Sequence, residues 1–104
     1  MNLDKIMKQA QKMQAQMAKI QEELASERVE GNAGGGMVTV TANGQGDVVA
    51  VRIDPEVAKN EDVDMLEDLV LAAVTDALRK SRELQNERMG QVAGGLGPRS
   101  LFQA

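Results

Sequence analysis

The sequence predicts an α+β fold in which two long helices flank a small antiparallel sheet. Three observations predict it. Apolar residues recur at helical spacing from the N-terminus to about residue 26. Residues 37–53 hold two alternating, Val-rich runs around an Asn43-Gly44-Gln45-Gly46 turn. A second helical stripe then runs from about Asp64 to Met89.

In the first helix Leu3, Ile6, Ala10, Met13, Met17, Ile20 and Leu24 alternate steps of three and four, a heptad seam. Ala, Gln, Lys, Met and Glu fill the rest, all good helix formers. With Leu3 at heptad position a, Lys5, Lys12 and Lys19 fall at c and Lys8 at f. At about 100° per residue those lysines lie opposite the seam. The helix has an apolar edge for a partner and a basic edge for solvent.

Arg28–Asn32 is a weak strand candidate by pattern alone. The stretch Gly31-Asn32-Ala33-Gly34-Gly35-Gly36 invites a phosphate-binding reading, but it lacks a Gly-Lys-Ser/Thr ending and opens a strand. Tight-turn chemistry is the better reading. Met37–Ala42 places Val38 and Val40 on one face and Thr39 and Thr41 on the other. The Asn43-Gly44 turn, suited to positive φ, leads to Val48–Ile53, with Val49, Val51 and Ile53 on one face. Asp54-Pro55 stops that strand, since Pro offers no ladder donor.

Asp64 followed by Glu67 reads as an Asp-led capping box for the second helix. Met65, Leu66, Leu69, Val70, Ala73 and Val74 begin a broad apolar face that thins after Leu78. Gly90 is the expected stop. The organisation is thus one domain over residues 1–90 and a flexible Gly-rich tail over 91–104.

Composition narrows the function. A chain of 104 residues buries only about 60–70% of its unfolded surface, so self-association would help it. Cys and His are both missing, which removes thiol and imidazole chemistry and the usual zinc sites. The acids Asp54, Glu56, Asp62, Asp64, Glu67 and Asp68 do not follow calcium-loop spacing. No nucleophile motif stands out. An enzyme, a bound metal, a cofactor and a small-molecule substrate are therefore not expected. No apolar run could span a membrane and no signal-peptide pattern opens the chain, which points to the cytoplasm. Phe102 is the only aromatic, so base stacking by the folded part is excluded. Met7, Met13, Met17, Met65 and Met89 read as packing or interface filler.

The net charge of −4 conceals a segregation. Residues 1–20 carry +3, 21–31 carry −3, 47–68 carry −6 and 76–104 carry +2. Both ends are basic and the middle is acidic, which suggests an anionic partner for the ends. Helices of this length, about 38 Å, overhang strands of about 20–23 Å. The overhangs expected are the start of the first helix and the end of the second, where the basic residues gather. An overhanging apolar seam needs a cover, and a second copy of the chain is the simplest one. A basic surface without aromatics would grip the phosphates of duplex DNA and discriminate sequence weakly.

The segments GMVTVTANGQG, VVAVRIDPEV, DMLEDLVLAAVTDALRK and ERMG, with the N-terminal KQAQKMQAQM helix, resemble the YbaB/EbfC family of bacterial nucleoid-associated proteins over nearly the whole chain. The IDP ending followed by LEDLVLAA and its distal Asp76 is the most specific part. The resemblance implies a two-layer α-β-β-β-α fold with a three-stranded antiparallel sheet, a tweezer-shaped homodimer and DNA binding. It makes Arg28–Asn32 a true first strand. It also implies DNA contacts from the first and last helices, which transfer here to Lys5, Lys8, Lys12, Arg79, Lys80, Arg82 and Arg88; the lysine stripe adds Lys19. The role implied is nucleoid organisation or gene regulation. The alternative is a protein–protein adaptor that recruits a replication or repair machine, for which the acidic middle and the exposed seam would serve.

Overall fold

The computed structural model describes residues 2–59 and 62–92. Its elements are α1 (Leu3–Ser26), β1 (Arg28–Ala33), β2 (Val38–Asn43), β3 (Val48–Ile53), α2 (Pro55–Lys59) and α3 (Val63–Val92). The strands form an antiparallel meander in the order β1-β2-β3, and α3 packs on one face of it. This is the expected two-layer α+β architecture. The weak strand is real. It pairs with β2 along its full length, from Arg28 opposite Asn43 to Ala33 opposite Val38.

The core is thin. Val38, Val40 and Ala42 on the central strand are wholly buried against Ala73 and Ala77 of α3. Gly31 stands opposite Val40 at this contact. A Cβ on Gly31 would collide with backbone atoms of Ala73 and Ala77, so helix and strand backbones touch there. Gly31 is therefore a packing residue within a strand, not part of the turn. The turn itself is Gly34-Gly35-Gly36, all three at positive φ. The second hairpin departs from expectation too. Positive φ falls at Gly46, not at Gly44. The Asn43 side-chain oxygen instead accepts the N–H groups of Gln45 (2.9 Å) and Asp47 (3.0 Å) and holds the loop closed.

Helix ends follow local chemistry. Asn2 caps α1, and the Arg28 guanidinium closes its other end by donating to the carbonyls of Ala25 (3.0 Å) and Glu27 (2.9 Å). The residue pattern does not mark the short α2. Asp54 accepts the Glu56 N–H at 2.9 Å with Pro55 in the first helical position, so the Asp-Pro that stops β3 also starts a helix. The cap of α3 is Asp62, which accepts the Met65 N–H at 3.0 Å, rather than Asp64. Gly90 does not end α3, which runs on to Val92, because Gly90 lacks the positive φ that would turn the chain out of the helix. The rest of the tail reading, residues 93–104, lies outside the described residues.

The overhangs are present. Ser81 reaches the tip of the β2–β3 hairpin, where its hydroxyl donates to the Asn43 carbonyl at 2.9 Å. The remainder of α3 continues past the sheet. α1 is anchored only by its last two turns. Leu24 is fully buried, its carbonyl accepts the Gly44 N–H at 2.8 Å, and the Gln21 carbonyl accepts the Gln45 side chain at 2.8 Å. Every residue from Asn2 to Lys19 is exposed, so α1 projects as an arm from a body measuring 69 × 30 × 16 Å overall. Met7, Met13, Met17 and Met65 accordingly fill no core within one chain.

Gly31 and Gly90 make opposite predictions. Gly31→Ala should destabilise the protein by ~3 kcal/mol or more, since backbone rather than a flexible side chain blocks the added methyl. Gly90→Ala meets open space inside a helix and should add ~0.5–1 kcal/mol. Urea titrations followed by circular dichroism measure both.

Candidate functional site

The eight basic residues singled out above divide into two groups by their surroundings. Lys5, Lys8, Lys12 and Lys19 stand on the arm of α1, all exposed and, among the described residues, with no carboxylate partner. They follow one face over about 21 Å of helix. Arg82 of α3 is exposed and equally free among the described residues. The other three are tied into the fold.

Arg79 pairs with Asp76 at 2.8 Å and with Glu83 at 2.6 Å, one helical turn to either side. Lys80 donates to the Glu30 carbonyl at 2.8 Å and lies 3.3 Å from Asp76. Arg88 reaches across to α1, to Glu27 at 2.5 Å and Glu23 at 3.8 Å, and so pins the base of the arm. Asp76 also accepts the Asn32 N–H at 3.1 Å. The hydrogen bond from Arg79, that N–H and Lys80 together hold the Asp76 carboxyl at about 2, below its ordinary 3.8. Asp76 and Glu83 in turn raise the Arg79 guanidinium.

These ties do a structural task. Residues 30 and 32 share the outward edge of β1, because strand residues two apart face alike. Asp76 accepts the Asn32 N–H and Lys80 donates to the Glu30 carbonyl on that edge, so α3 side chains occupy part of what another strand would pair with. The i,i+3 and i,i+4 spacing of Asp76, Arg79, Lys80 and Glu83 signals the ion pairs in sequence. Nothing in the sequence signals the reach of Lys80 and Asp76 to β1.

The opposite edge is open. Val48, Val49 and Val51 of β3 are all exposed. A bulge sets Val48 opposite Ala42 and leaves Val49 unpaired. Beside this strand the first half of α3 lines an apolar groove of about 470 Å³ with Val63, Leu66, Val70, Leu71 and Val74, closed at one side by Ile53. Leu71 is 66% exposed. Among the described residues no helix is long and apolar enough to cross a membrane, and no cluster of side chains is arranged to hold a metal ion.

The sequence model of the YbaB/EbfC DNA-binding family matches residues 1–96. A nucleoid-associated protein of Pelotomaculum thermopropionicum is 48% identical over 101 residues, covering 97% of this chain and 96% of the relative. One from Chloroflexus aurantiacus is 52% identical over 96 residues, covering 92% of this chain and 96% of its own length. In fold, the chain is similar to a crystal structure of an uncharacterized Helicobacter pylori protein. The TM-score is 0.75 at 23% identity, over 84% of this chain and 91% of the other.

The depressed carboxyl of Asp76 has a pH signature. Its ionised form is favoured in the folded protein, so its stabilisation is complete above pH 4 and is lost as pH falls through about 2. Asp76→Asn should lower the melting temperature at pH 7, and its deficit relative to the wild type should narrow steadily between pH 4 and pH 2. A deficit that stays constant over that interval would show that the charge of Asp76 is not what stabilises the fold.

Proposed function

The chain belongs to the YbaB/EbfC DNA-binding family, and from that premise we propose that it is a nucleoid-associated protein that grips the backbone of duplex DNA as a homodimer. The observation that carries this reading is the lysine face of the α1 arm. Lys5, Lys8, Lys12 and Lys19 are exposed, aligned and free of carboxylate partners among the described residues. Free ammonium groups exchange the counterions of DNA for themselves, which is the main source of phosphate affinity. Arg82 adds a fifth such charge. Arg79, Lys80 and Arg88 add less, because Asp76, Glu83, Glu23 and Glu27 offset their charges and their donors serve the fold. Nothing in this set is shaped to read a base edge, so binding depends weakly on sequence and strongly on salt. The net charge of −4 does not oppose this, since screening over about 8–10 Å leaves the arm to feel mainly its own charges.

The unequal edges of the sheet support the homodimer. β1 has Asp76 and Lys80 bonded to its outward edge, whereas β3 offers an apolar strand with an apolar groove beside it. Such an edge is a template for pairing, and a second copy brings the same strand and groove. The dimer presents two lysine arms to one duplex, and the role that suits it is organisation of the nucleoid.

Two measurements test the reading. Fluorescence anisotropy with a fixed duplex across a salt series should give a log–log slope near −9, for about ten phosphate contacts per dimer. Lys8→Ala, which removes two of them, should make the slope shallower by about 1.8. An unchanged slope in Lys8→Ala would return the stripe to a solvated helix face. For the dimer, Val51→Lys should give a lower average mass than the wild type in sedimentation equilibrium with its circular dichroism intact, because Val51 is already half exposed in one chain.

A further inference from the structure

The lysine face accounts for one side of the arm and leaves the other unexplained. Leu3, Ile6, Met13 and Met17 continue the heptad seam whose last members, Ile20 and Leu24, pack inside the chain. The first four stay open to solvent, Leu3 at 66% and Met13 at 49% exposed. An arm that only held DNA would need no such edge. The positions that flank a heptad seam are uncharged here. Asn2, Gln9 and Gln16 fall at g, and Met7 and Gln14 at e. Flanking charges are what separate like helices in a coiled coil, so two copies of this arm meet no repulsion. Ala10, midway along, lets two helix axes come close. Every arm lysine sits at c or f and stays outside such a pair. The same placement argues against a lipid surface, where cations flank the apolar face to reach headgroups.

We propose that the projecting part of α1, from Leu3 to Met17, is a second self-association surface that zips against the α1 arm of another copy through Leu3, Ile6, Ala10, Met13 and Met17. This contact is separate from β3 and does not depend on DNA. A paired arm carries eight lysines on its outer surface, so the contact would join DNA-bound units without using up the groups that hold phosphate.

The chain contains no cysteine, which makes the test direct. Met13→Cys and Ala10→Cys place a thiol in the seam, and Ala15→Cys places one at f on the outer face. With diamide as oxidant and no DNA present, the two seam variants should form disulfide-linked pairs at least tenfold faster than the Ala15→Cys variant. The same ratio should hold in the Val51→Lys background, which separates this contact from pairing at β3. Ile6→Asp added to Met13→Cys should abolish the advantage while circular dichroism stays unchanged, since Leu24 and not Ile6 anchors the helix. Equal rates in the three variants would overturn the proposal. So would loss of the advantage in Val51→Lys, which would make the arms mere neighbours within a β3 dimer. Co-sedimentation of the protein with phosphatidylglycerol vesicles, blocked by Ile6→Asp and accompanied by equal cross-linking rates, would assign the seam to a membrane instead.

Discussion

The approach of β1 to α3 governs the molecule. At Gly31 a strand backbone lies directly on a helix backbone, and the two small residues Ala73 and Ala77 permit it. That closeness brings Asp76 and Lys80 within reach of the outward edge of β1, at Asn32 and Glu30. It also sets the line of α3 over the sheet, which delivers Ser81 to the hairpin tip and Arg88 to the base of α1. A core of Val and Ala with no aromatic ring supplies little area, so close packing replaces bulk as the source of cohesion.

Placing α3 over β1 and β2 has a cost on the other side. β3 keeps only Ile53 against the helix, and its three valines face solvent. One edge is partly covered by a carboxylate and an ammonium, and the other is left apolar. The same asymmetry recurs along the helices. Arg79, Lys80 and Arg88 are consumed by carboxylates and a carbonyl of the body, while the lysines of the arm pair with no acid among the described residues. Total charge says little about such a protein. Function follows from which charges the fold leaves unpaired.

Much of this was legible from residue pattern. The 3–4 spacing from Leu3 to Leu24 marked α1, the alternation about Val38 and Val40 marked the central strand, and the stripe from Met65 to Leu78 marked α3. The lysine face was legible for the same reason: helical periodicity converts spacing directly into direction. The caps were read less well. Asp62 and Asp64 are both acceptable caps, and only the position at which the chain enters the helix chooses between them. Gly90 likewise carries a stop signal that a helix can override, since a single glycine costs only about 1 kcal/mol.

By itself, then, the sequence determined the elements, their order and the separation of apolar from basic faces on α1, because each depends on residues within a few positions of one another. The tertiary structure alone decided what each charge is for. Lys80 and Lys12 are alike as residues on a helix. One meets the Glu30 carbonyl fifty positions away and the other meets water. It also decided that Gly31 is a contact and not a turn, and that side chains of α3 reach the edge of β1 but not that of β3. These outcomes depend on where distant segments meet, and local periodicity carries no information about that distance.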